Sequence, residues 1–478
     1  FVIGDNPVFK GLTIYDNLAS DGGSGMAISG TNPSIINCTI VDNNGQGMWV
    51  THNSNPTLIN SIVRNNSSEQ IYFREVDNPS TIDISYSNIQ DGQDSIVTNN
   101  NGTVTWGTGN IDANPRFCGP DSADFSLGEN SPSAGTGEDG SNMGSFDVEC
   151  GDISLVHSVP SEYSTIQSAI DESLDGDVVM VQNGTYLENI NFEGKGITVT
   201  SVTGPDSTII NGGGTDIVVT FDSNEDGNSV LTGFTITNGN AQQPWPYNRG
   251  GGVNCQNSSP RMFDLIITGN TGQGGGGGVY IKNASPEMHY CDITNNVAGW
   301  NGGGMYIEGV NQGHSAYFHQ VDIRGNTGSA GGGVQVQGSD PTFEFVEVSG
   351  NTGDVGGGIH FEQSNAHLQN VTIVNNTAQT GGGIQLKENY SDISSAVYMF
   401  NSIIWGNNSD EINISEYSAD AGEPRGSAGP PILKILKKNN LINTVVFVVR
   451  YFGGKKLGIP GLIEAYSKST QIVINSNE

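Results

Sequence analysis

Short runs of alternating apolar and polar residues recur along most of the chain, separated by Gly, Asn and Ser. GVYI, SPEMHYCDI and GGGMYI are examples. Strict alternation predicts a β-strand with one buried face, and the turn-forming residues between the runs predict that each strand is short. A segment of this size cannot bury its apolar face alone. We therefore expect the strands to gain a core by stacking on their neighbours.

Two independent markers repeat with a period of about 25 to 29 residues. The first is a triple glycine followed by Val, Met or Ile, which begins at Gly250, Gly276, Gly302, Gly331, Gly356 and Gly381. The second is an apolar motif that ends in Asn, at Asn270, Asn296, Asn326, Asn351, Asn376 and Asn407. Units of this kind stack as coils about 4.8 Å apart, which predicts an all-β chain wound as a parallel β-helix.

The repeated asparagines are expected to be structural. Asn tolerates the left-handed conformation that a sharp bend needs, and its amide can bond to the equivalent Asn in the coils above and below. These six residues are thus predicted to form an internal ladder. The same motif in the first hundred residues predicts equivalent positions at Asn17, Asn43 and Asn65.

An aperiodic stretch, NIDANPRFCGPDSADFSLGENSPSAGTGEDGSNMGSFDVECG, interrupts the repeats. It resembles the closing segment of the right-handed parallel β-helix proteins that bacteria secrete. The resemblance implies that Cys118 and Cys150, which can form a disulfide, occupy the positions of a bridging pair in that family. Cys38, Cys255 and Cys291 are expected to be buried free thiols. Residues 1–110 would then be the end of a first solenoid whose start is missing, and residues 111–151 its closing segment.

The stretch VPSEYSTIQSAIDESLDGDVVMVQNGTYLENINFEGKGITVTS resembles the entry segment of the same family. Ser164 and Gln167 are expected to form a capping box for a short helix with Ile166, Ala169 and Ile170 on one side. That helix would cover the open end of a second solenoid, residues 152–414, because an exposed sheet edge invites association.

Charge changes sharply near residue 414. The chain carries 18 Lys and Arg against 50 Asp and Glu, a formal net charge of −32, whereas residues 414–478 hold eight Lys and Arg against five Asp and Glu. The acidic main body would repel phosphate backbones, so nucleic-acid binding is not expected there. No apolar run is long enough to predict a membrane span. A signal peptide would be already removed or not captured.

The basic tail resembles the IMPACT N-terminal family of YigZ-like bacterial proteins. Two motifs carry this resemblance, and their matching residues are Glu423, Pro424, Gly426 and Gly429 in the first, and Arg450, Tyr451, Phe452, Gly453, Gly454 and Lys456 in the second. The resemblance implies the second half of a small α/β domain, residues 415–478, linked to translation and the ribosome. ILKILKK and GLIEAYSKS are predicted helices and NTVVFVVRYF a buried strand. Such an abrupt join favours a chimeric chain, either a natural fusion or an assembly artefact.

Candidate chemistry in the repeats is sparse. The position four residues before each ladder Asn holds Asp292, Asp322 and Glu347 in three successive coils, which predicts one outward column of carboxylates. Arg324 lies beside Asp322 and would relieve their repulsion. Trp300 and Tyr306, like Trp245 and Tyr247, can stack on sugar rings. The column can also bind Ca²⁺, but an ordinary solvated face has the same appearance, and the scattered histidines predict no metal site.

These features favour a secreted or cell-surface β-helix with a binding or structural role, which contacts a polysaccharide or cell-surface glycan along its flank. An enzyme of the same fold, a polysaccharide lyase or glycoside hydrolase, is the first alternative. A lyase would need Arg or Lys beside its carboxylates, and few are present in the repeats. The second alternative is a translation-linked regulator acting through the tail, which by itself would indicate the cytoplasm. No cofactor and no oligomeric state are predicted.

Overall fold

The computed structural model describes residues 2, 6–19, 22–75, 78–242, 249–309, 313–387, 395–414, 429–439 and 459–475. They divide into two compact units, Phe1–Ser154 and Leu155–Glu478. Both units consist mainly of short parallel strands.

The first unit contains fifteen described strands. They are β1 (Val8–Lys10), β2 (Thr13–Ile14), β3 (Met26–Ser29), β4 (Ser34–Ile36), β5 (Thr39–Val41), β6 (Met48–Thr51), β7 (Thr57–Ile59), β8 (Ile62–Arg64), β9 (Ile71–Phe73), β10 (Ser80–Ser85), β11 (Asn88–Ile89), β12 (Gly102–Trp106), β13 (Phe117–Gly119), β14 (Asp124–Gly128) and β15 (Val148–Cys150). Single 3₁₀ turns lie at Gly92–Ser95, Pro120–Ser122 and Glu138–Gly140.

Strands of the first unit stack into parallel sheets in the orders β1-β4-β7-β10-β12, β11-β8-β5-β2 and β3-β6-β9. Their inward side chains, among them Ile28, Ile40 and Leu58, form one apolar core. The segment after β12 differs, because β13 and β14 pair antiparallel in a small sheet with β15. Cys118 and Cys150 form a disulfide between β13 and β15. Cys38, Cys255 and Cys291 are free and buried.

The second unit begins with β16 (Val156–Val159), α1 (Ile166–Glu172), β17 (Val178–Val181), β18 (Gly184–Leu187), β19 (Ile190–Asn191), β20 (Thr198–Ser201), β21 (Thr208–Asn211), β22 (Val219–Phe221), β23 (Val230–Thr232), β24 (Thr235–Thr237) and β25 (Asn240–Ala241). Its central coils contain β26 (Val253–Gln256), β27 (Arg261–Phe263), β28 (Ile266–Thr268), β29 (Thr271–Gly272), β30 (Val279–Lys282), β31 (Glu287–Thr294), β32 (Val297–Ala298), β33 (Met305–Glu308), β34 (Tyr317–Arg324) and β35 (Val334–Gln337). Its last coils contain β36 (Thr342–Glu344), β37 (Glu347–Ser349), β38 (Ile359–Glu362), β39 (Asn365–Gln369), β40 (Thr372–Val374), β41 (Ile384–Lys387), β42 (Ala396–Phe400), β43 (Ile403–Trp405) and β44 (Ile412–Ile414), before α2 (Gly429–Lys438) and α3 (Ile459–Asn475).

The second solenoid contains two long sheets and one short sheet. The largest has 17 strands, from β16 to β43, and is called the long sheet below. A nine-stranded sheet has the order β19-β22-β26-β30-β33-β35-β38-β41-β44, and β25, β29 and β32 form a three-stranded sheet. Inward residues from all coils form one core from Val159 to Ile384. The expected right-handed parallel β-helix is confirmed.

The triple glycines permit close approach between coils. A Cβ at Gly277, the middle glycine of its triplet, would lie 2.5 Å from the carbonyl oxygens of both Gly303 and Val297. Real Cβ atoms do not come this close to backbone oxygens, so the coils could not stack at this turn with any larger residue. The first glycine of a triplet has a different role, because Gly356 has φ +65° in the left-handed region.

The asparagine ladder is continuous in the second unit. Each side-chain amide donates to Oδ1 of the next asparagine at 2.9 to 3.1 Å, through Asn270, Asn296, Asn326, Asn351, Asn376 and Asn407. Each amide also donates to a backbone carbonyl of the preceding coil, as Asn296 does to Ile267. The ladder ends where Asn407 donates to Glu411 at 2.7 Å.

Two details of the predicted ladder are wrong. The left-handed residue is the one before each ladder asparagine, for example Asn295 or Gly325, because the bend must turn the following side chain inward. In the first unit the rung after Asn43 is Asn66 and not Asn65. Asn65 has φ +54° and forms the bend itself.

Helix α1 covers the first coils of the second unit with Ile166, Ala169 and Ile170, which are buried in the core. The capping box is formed by Thr165 and Ser168, one residue later than the predicted Ser164 and Gln167. The Glu188 carboxylate accepts hydrogen bonds from the amides of Ile166 and Gln167 at 3.0 Å and stabilises the helix start.

The two predicted C-terminal helices are present as α2 and α3. Leu462 and Tyr466 of α3 are buried, and Ile432 of α2 packs against them. The predicted strand at 443–452 lies outside the described residues. No helix of the described chain has the length and hydropathy needed to cross a membrane.

Candidate functional site

The outer face of the long sheet carries columns of side chains on both sides of a left-handed bend. The two columns next to the bend are described here. Before the bend, Phe263, His289, His319, Glu344, Gln369 and Phe400 are register partners in one column. After the bend, Ile266, Asp292, Asp322, Glu347, Thr372 and Ile403 are register partners in another. The bend therefore brings an aromatic and histidine-bearing column next to the predicted carboxylates.

The carboxylate column comprises Asp292, Asp322 and Glu347, which occupy successive coils as the spacing predicts. Arg324 lies between two of them, with Nη2 3.1 Å from Oδ1 of Asp292 and 3.4 Å from Oδ2 of Asp322. Burial raises the pKa of Asp322, Arg324 opposes this rise, and the charges of Asp292 and Glu347 add to it. The column is thus crowded with negative charge that a single guanidinium only partly neutralises.

Six side chains form a surface that we call the ring flank: Phe263, His289, Tyr290, Tyr317, His319 and Phe345. The rings of Phe263 and His289 stack with centroids 5.1 Å apart. The His289 ring is in turn 5.8 Å from the ring of His319, which lies in the next coil. The Phe345 ring meets His319 edge-on at 5.5 Å. The ladder of rings therefore runs along the solenoid through four coils.

Tyr290 and Phe345 are the exposed members of the ring flank, with 58% and 51% of their surface accessible. Both occupy the left-handed bend, with φ of +57° and +55°. Other coils hold polar residues at this bend, namely Asp264, Gln320, Asn370 and Asn401. Asp and Asn adopt the left-handed conformation more easily than other residues with a side chain. Bulky residues with positive φ are uncommon, so the aromatic rings occupy these two positions against the backbone preference.

Glu344 anchors the middle of the ring flank. It accepts a hydrogen bond from the Tyr317 hydroxyl, and its Oε2 lies 3.4 Å from Nδ1 of His319. The hydrogen bond from Tyr317 lowers the pKa of Glu344, and the same contact raises the pKa of Tyr317 to about 12. Glu344 is therefore ionised at neutral pH beside the rings.

The histidines expected to be scattered are only partly so, because His289 and His319 are paired in register. A sequence signal was present: the ring column lies seven residues before each ladder asparagine, just as the carboxylate column lies four before it. Within the described residues, no group of three or more His, Cys, Asp or Glu side chains is arranged to hold a metal ion.

Two predicted sugar-stacking residues lie elsewhere. Trp300 is 69% exposed but belongs to the turn after β32, away from the ring flank. Tyr306 is 2% exposed, so the prediction that it stacks on a sugar is wrong. It packs beside Tyr280 beneath Arg249 and donates a hydrogen bond to Gln337 at 2.7 Å. Trp245 and Tyr247 lie outside the described residues.

A buried polar column, which the sequence analysis missed, occupies the nine-stranded sheet. It consists of Asn254, Tyr280, Tyr306, Gln335, His360 and Gln385, each four residues after the start of a triple glycine. Both ring nitrogens of His360 and the amide oxygens of Asn254, Gln335 and Gln385 have no hydrogen-bond partner within the described chain. Burial lowers the pKa of His360 to about 4.

Most residues of the two C-terminal motifs lie outside the described part of the chain. These are Glu423, Pro424 and Gly426 of the first motif, and Arg450, Tyr451, Phe452, Gly453, Gly454 and Lys456 of the second. Gly429 is the first residue of α2. Of the named motif residues, the described part of the chain therefore includes Gly429 alone.

The chain combines a right-handed β-helix with an IMPACT-type segment. Residues 2–121 match the right handed beta helix region, and residues 366–474 match the Impact N-terminal domain. Both family resemblances seen in the sequence are thereby confirmed. The second match begins inside β39, so its first part falls on coils of the solenoid.

Curated relatives match the C-terminal segment. It is 55% identical over 56 residues to the IMPACT family member YvyE of Bacillus subtilis (strain 168), which covers 12% of this chain and 26% of that protein. It is 46% identical over 48 residues to the IMPACT family member YigZ of Escherichia coli (strain K12), which covers 10% of this chain and 24% of that protein. The chain thus spans about a quarter of the length of these relatives.

Solved structures resemble the solenoid only distantly. Pectin methylesterase from Aspergillus niger has a TM-score of 0.35 and 15% identity, with 55% of this chain and 90% of that chain covered. Pectate lyase Pel9A has a TM-score of 0.30 and 14% identity, with 56% and 82% covered. The periplasmic alginate epimerase AlgG, as a double mutant, has a TM-score of 0.28 and 12% identity, with 85% and 76% covered.

Proposed function

We propose that the chain is a secreted or cell-surface protein whose solenoid binds a polysaccharide along the ring flank. The observation that carries this proposal is the placement of Tyr290 and Phe345. Both aromatic side chains are more than half exposed and occupy a bend where other coils of this unit hold Asp, Gln or Asn. Exposed aromatic faces of this kind stack on the apolar faces of sugar rings.

The surrounding groups suit a linear polymer. Coils follow one another at about 4.8 Å, which is comparable to the length of one pyranose ring, so each coil can meet one sugar. The carboxylates of Glu344, Asp292 and Asp322 are hydrogen-bond acceptors for sugar hydroxyls. Positions of this type, fixed on rigid strands, bind without needing the loops to rearrange.

The test replaces both exposed rings with asparagine, which occupies the same bend at Asn370 and Asn401. The double variant Tyr290→Asn/Phe345→Asn keeps a residue that tolerates the left-handed bend, so the fold is expected to persist. Isothermal titration calorimetry against soluble polysaccharides is expected to show at least a tenfold loss of affinity. Trp300→Ala, which removes an exposed aromatic ring away from the flank, is the matched control and is expected to bind as the unmodified chain does.

Unchanged affinity in the double variant would contradict the proposal. So would an equal loss in Trp300→Ala, because binding would then lie at the turn after β32. Circular dichroism of both variants checks that the solenoid is intact.

Hydrolysis is a second candidate, favoured by one observation. The pKa of Asp322 is raised, and a general acid in a glycosidase needs a raised pKa next to a second carboxylate such as Asp292. This reading predicts the release of reducing ends from a bound polysaccharide, abolished in Asp322→Asn. A binding role predicts no release by either protein. The translation-linked alternative stays a prediction, and co-sedimentation with ribosomes tests it.

A further inference from the structure

Most cationic side chains near the ring flank are paired with carboxylates of the protein. Arg324 lies between Asp292 and Asp322, as described above. Arg261, at the edge of the flank, donates its Nε–H to the carbonyl oxygen of Gly227. Lys387 and Arg249 pair with Glu362 and Glu308 on the nine-stranded sheet. Among the described coils, the flank therefore offers an anionic ligand no lysine and an Arg324 that is already paired with two carboxylates. Arg261 is a cation at its edge that bonds a neutral carbonyl group.

Negative charge dominates the same surface. Five carboxylates border the ring flank: Glu287, Asp292, Asp322, Glu344 and Glu347. The whole chain, including these carboxylates, carries a formal net charge of −32. A polymer of uronic acids carries one carboxylate per sugar, so its approach along this column would place like charges side by side in three successive coils. Such juxtapositions oppose association, most strongly at low ionic strength.

A neutral polysaccharide avoids this cost and uses the same groups. Its hydroxyls donate hydrogen bonds to the carboxylates, which in their ionised form can accept but cannot donate. Its ring faces stack on Tyr290 and Phe345 without bringing charge. We propose that the ring flank selects neutral polysaccharides and excludes uronate polymers. This inference rests on the proposed carbohydrate-binding function and names the class of polymer that the surface accepts.

The experiment compares oligosaccharides that differ in charge. The probes are the β-1,4-linked hexamers of glucose, mannose and galactose, hexagalacturonate and the glucosamine hexamer, each titrated calorimetrically at 20 mM and 500 mM NaCl. The expected result is that a neutral hexamer binds at least tenfold more tightly than hexagalacturonate at 20 mM NaCl. Its affinity is expected to change less than twofold with salt, because no ion pair forms.

A charge reversal provides the internal control. Glu347→Lys is expected to raise the affinity for hexagalacturonate several-fold at 20 mM NaCl, because it removes a like charge and supplies a cation on the flank. Glu172→Lys makes the same change in net charge at an exposed position at the end of α1 and is expected to have little effect. Equal effects of the two variants would show that only the overall charge matters, which would overturn the inference about this surface.

The outcomes separate the two proposals. Preferred binding of hexagalacturonate or of the glucosamine hexamer would overturn the neutral class while leaving carbohydrate binding intact, provided that Tyr290→Asn/Phe345→Asn abolishes it. Failure of every hexamer to bind would overturn both proposals.

Discussion

Asn326 donates its side-chain amide N–H to Oδ1 of Asn351, one coil further along the solenoid, at 3.0 Å. The same amide donates to the carbonyl oxygen of Ile293 at 2.8 Å, and its Oδ1 accepts from the backbone and side chain of Asn296. The residue is fully buried, so each of these bonds is made where water cannot replace it. Every rung therefore satisfies backbone groups that the bend would otherwise leave unpaired.

Replacing one rung should be costly. Asn326→Ala is expected to lower the free energy of unfolding by about 3 kcal/mol, because it leaves buried donors and acceptors of two neighbouring coils without partners. Denaturant-induced unfolding followed by fluorescence measures the change. Asn365→Ala, on the surface side of β39, is the control and should shift stability by less than about 0.5 kcal/mol. Similar losses in the two variants would contradict a special role for the ladder.

The disulfide should stabilise the first unit. Cys118 and Cys150 are separated by 32 residues, and closing a loop of this size is expected to contribute about 3 to 4 kcal/mol by restricting the unfolded chain. Dithiothreitol is thus expected to lower the temperature at which the first unit unfolds, measured by calorimetry. The variant Cys118→Ser/Cys150→Ser should unfold at that lower temperature with or without reductant. A reductant effect that survives in this variant would point to another cause.

His360 should make the solenoid sensitive to mild acid. Its pKa is lowered to about 4 by burial, so the unfolded chain, with a His pKa near 6.5, binds the proton more readily. The contribution of His360 to the free energy of unfolding is fully present above pH 6.5. It is lost as the pH falls towards 4, by up to about 3 kcal/mol. In His360→Gln, which copies Gln335 and Gln385 of the adjacent coils, the loss between pH 7 and 4.5 should be smaller.

The half-buried His314 supplies the control for that comparison. His314→Gln should keep the full pH dependence of the unmodified chain in thermal unfolding experiments. If His360→Gln and the unmodified chain lose stability in parallel down to pH 4.5, His360 is not the acid-sensitive group.

Arg324 should matter more at neutral pH than in acid. The pKa of Asp322 is raised in the folded state, so the folded state binds this proton more tightly than the unfolded chain does. The folded state therefore loses stability as the pH rises from the ordinary pKa of 3.8 through the raised pKa. Removing the guanidinium in Arg324→Met raises that pKa further and widens the window. The pair is exposed, so the expected loss at pH 7 is below about 1 kcal/mol and should vanish near pH 3.

Lys282→Met removes a cation from the nine-stranded sheet and controls for the change in net charge. Thermal unfolding of both variants at pH 7 and pH 3 checks the prediction. A loss in Arg324→Met that is equal at the two pH values would show that Arg324 acts through packing and not through charge.

The sequence alone determined the architecture, because stacked coils demand the same residue type at the same place in each repeat. The triple glycines, the ladder from Asn270 to Asn407 and the carboxylates four residues before it are all visible as a period. Local shifts of one residue were harder to assign. Asn65 and Asn66 are chemically identical, and Ser164 and Thr165 are both good helix caps, so only the backbone geometry distinguishes them.

The tertiary structure alone decided which side chains meet. The ring column has mixed chemistry, with Phe263, His289 and Glu344 at one register position, so its period is hidden unless coils are aligned by their asparagines. The burial of single side chains could not be predicted from the sequence either. Tyr306 is covered by Arg249 from an earlier coil, whereas Tyr290 turns outward at a bend. Alternation along a strand tells which residues share a face. How deeply each one is covered depends on neighbouring coils that are distant in the sequence.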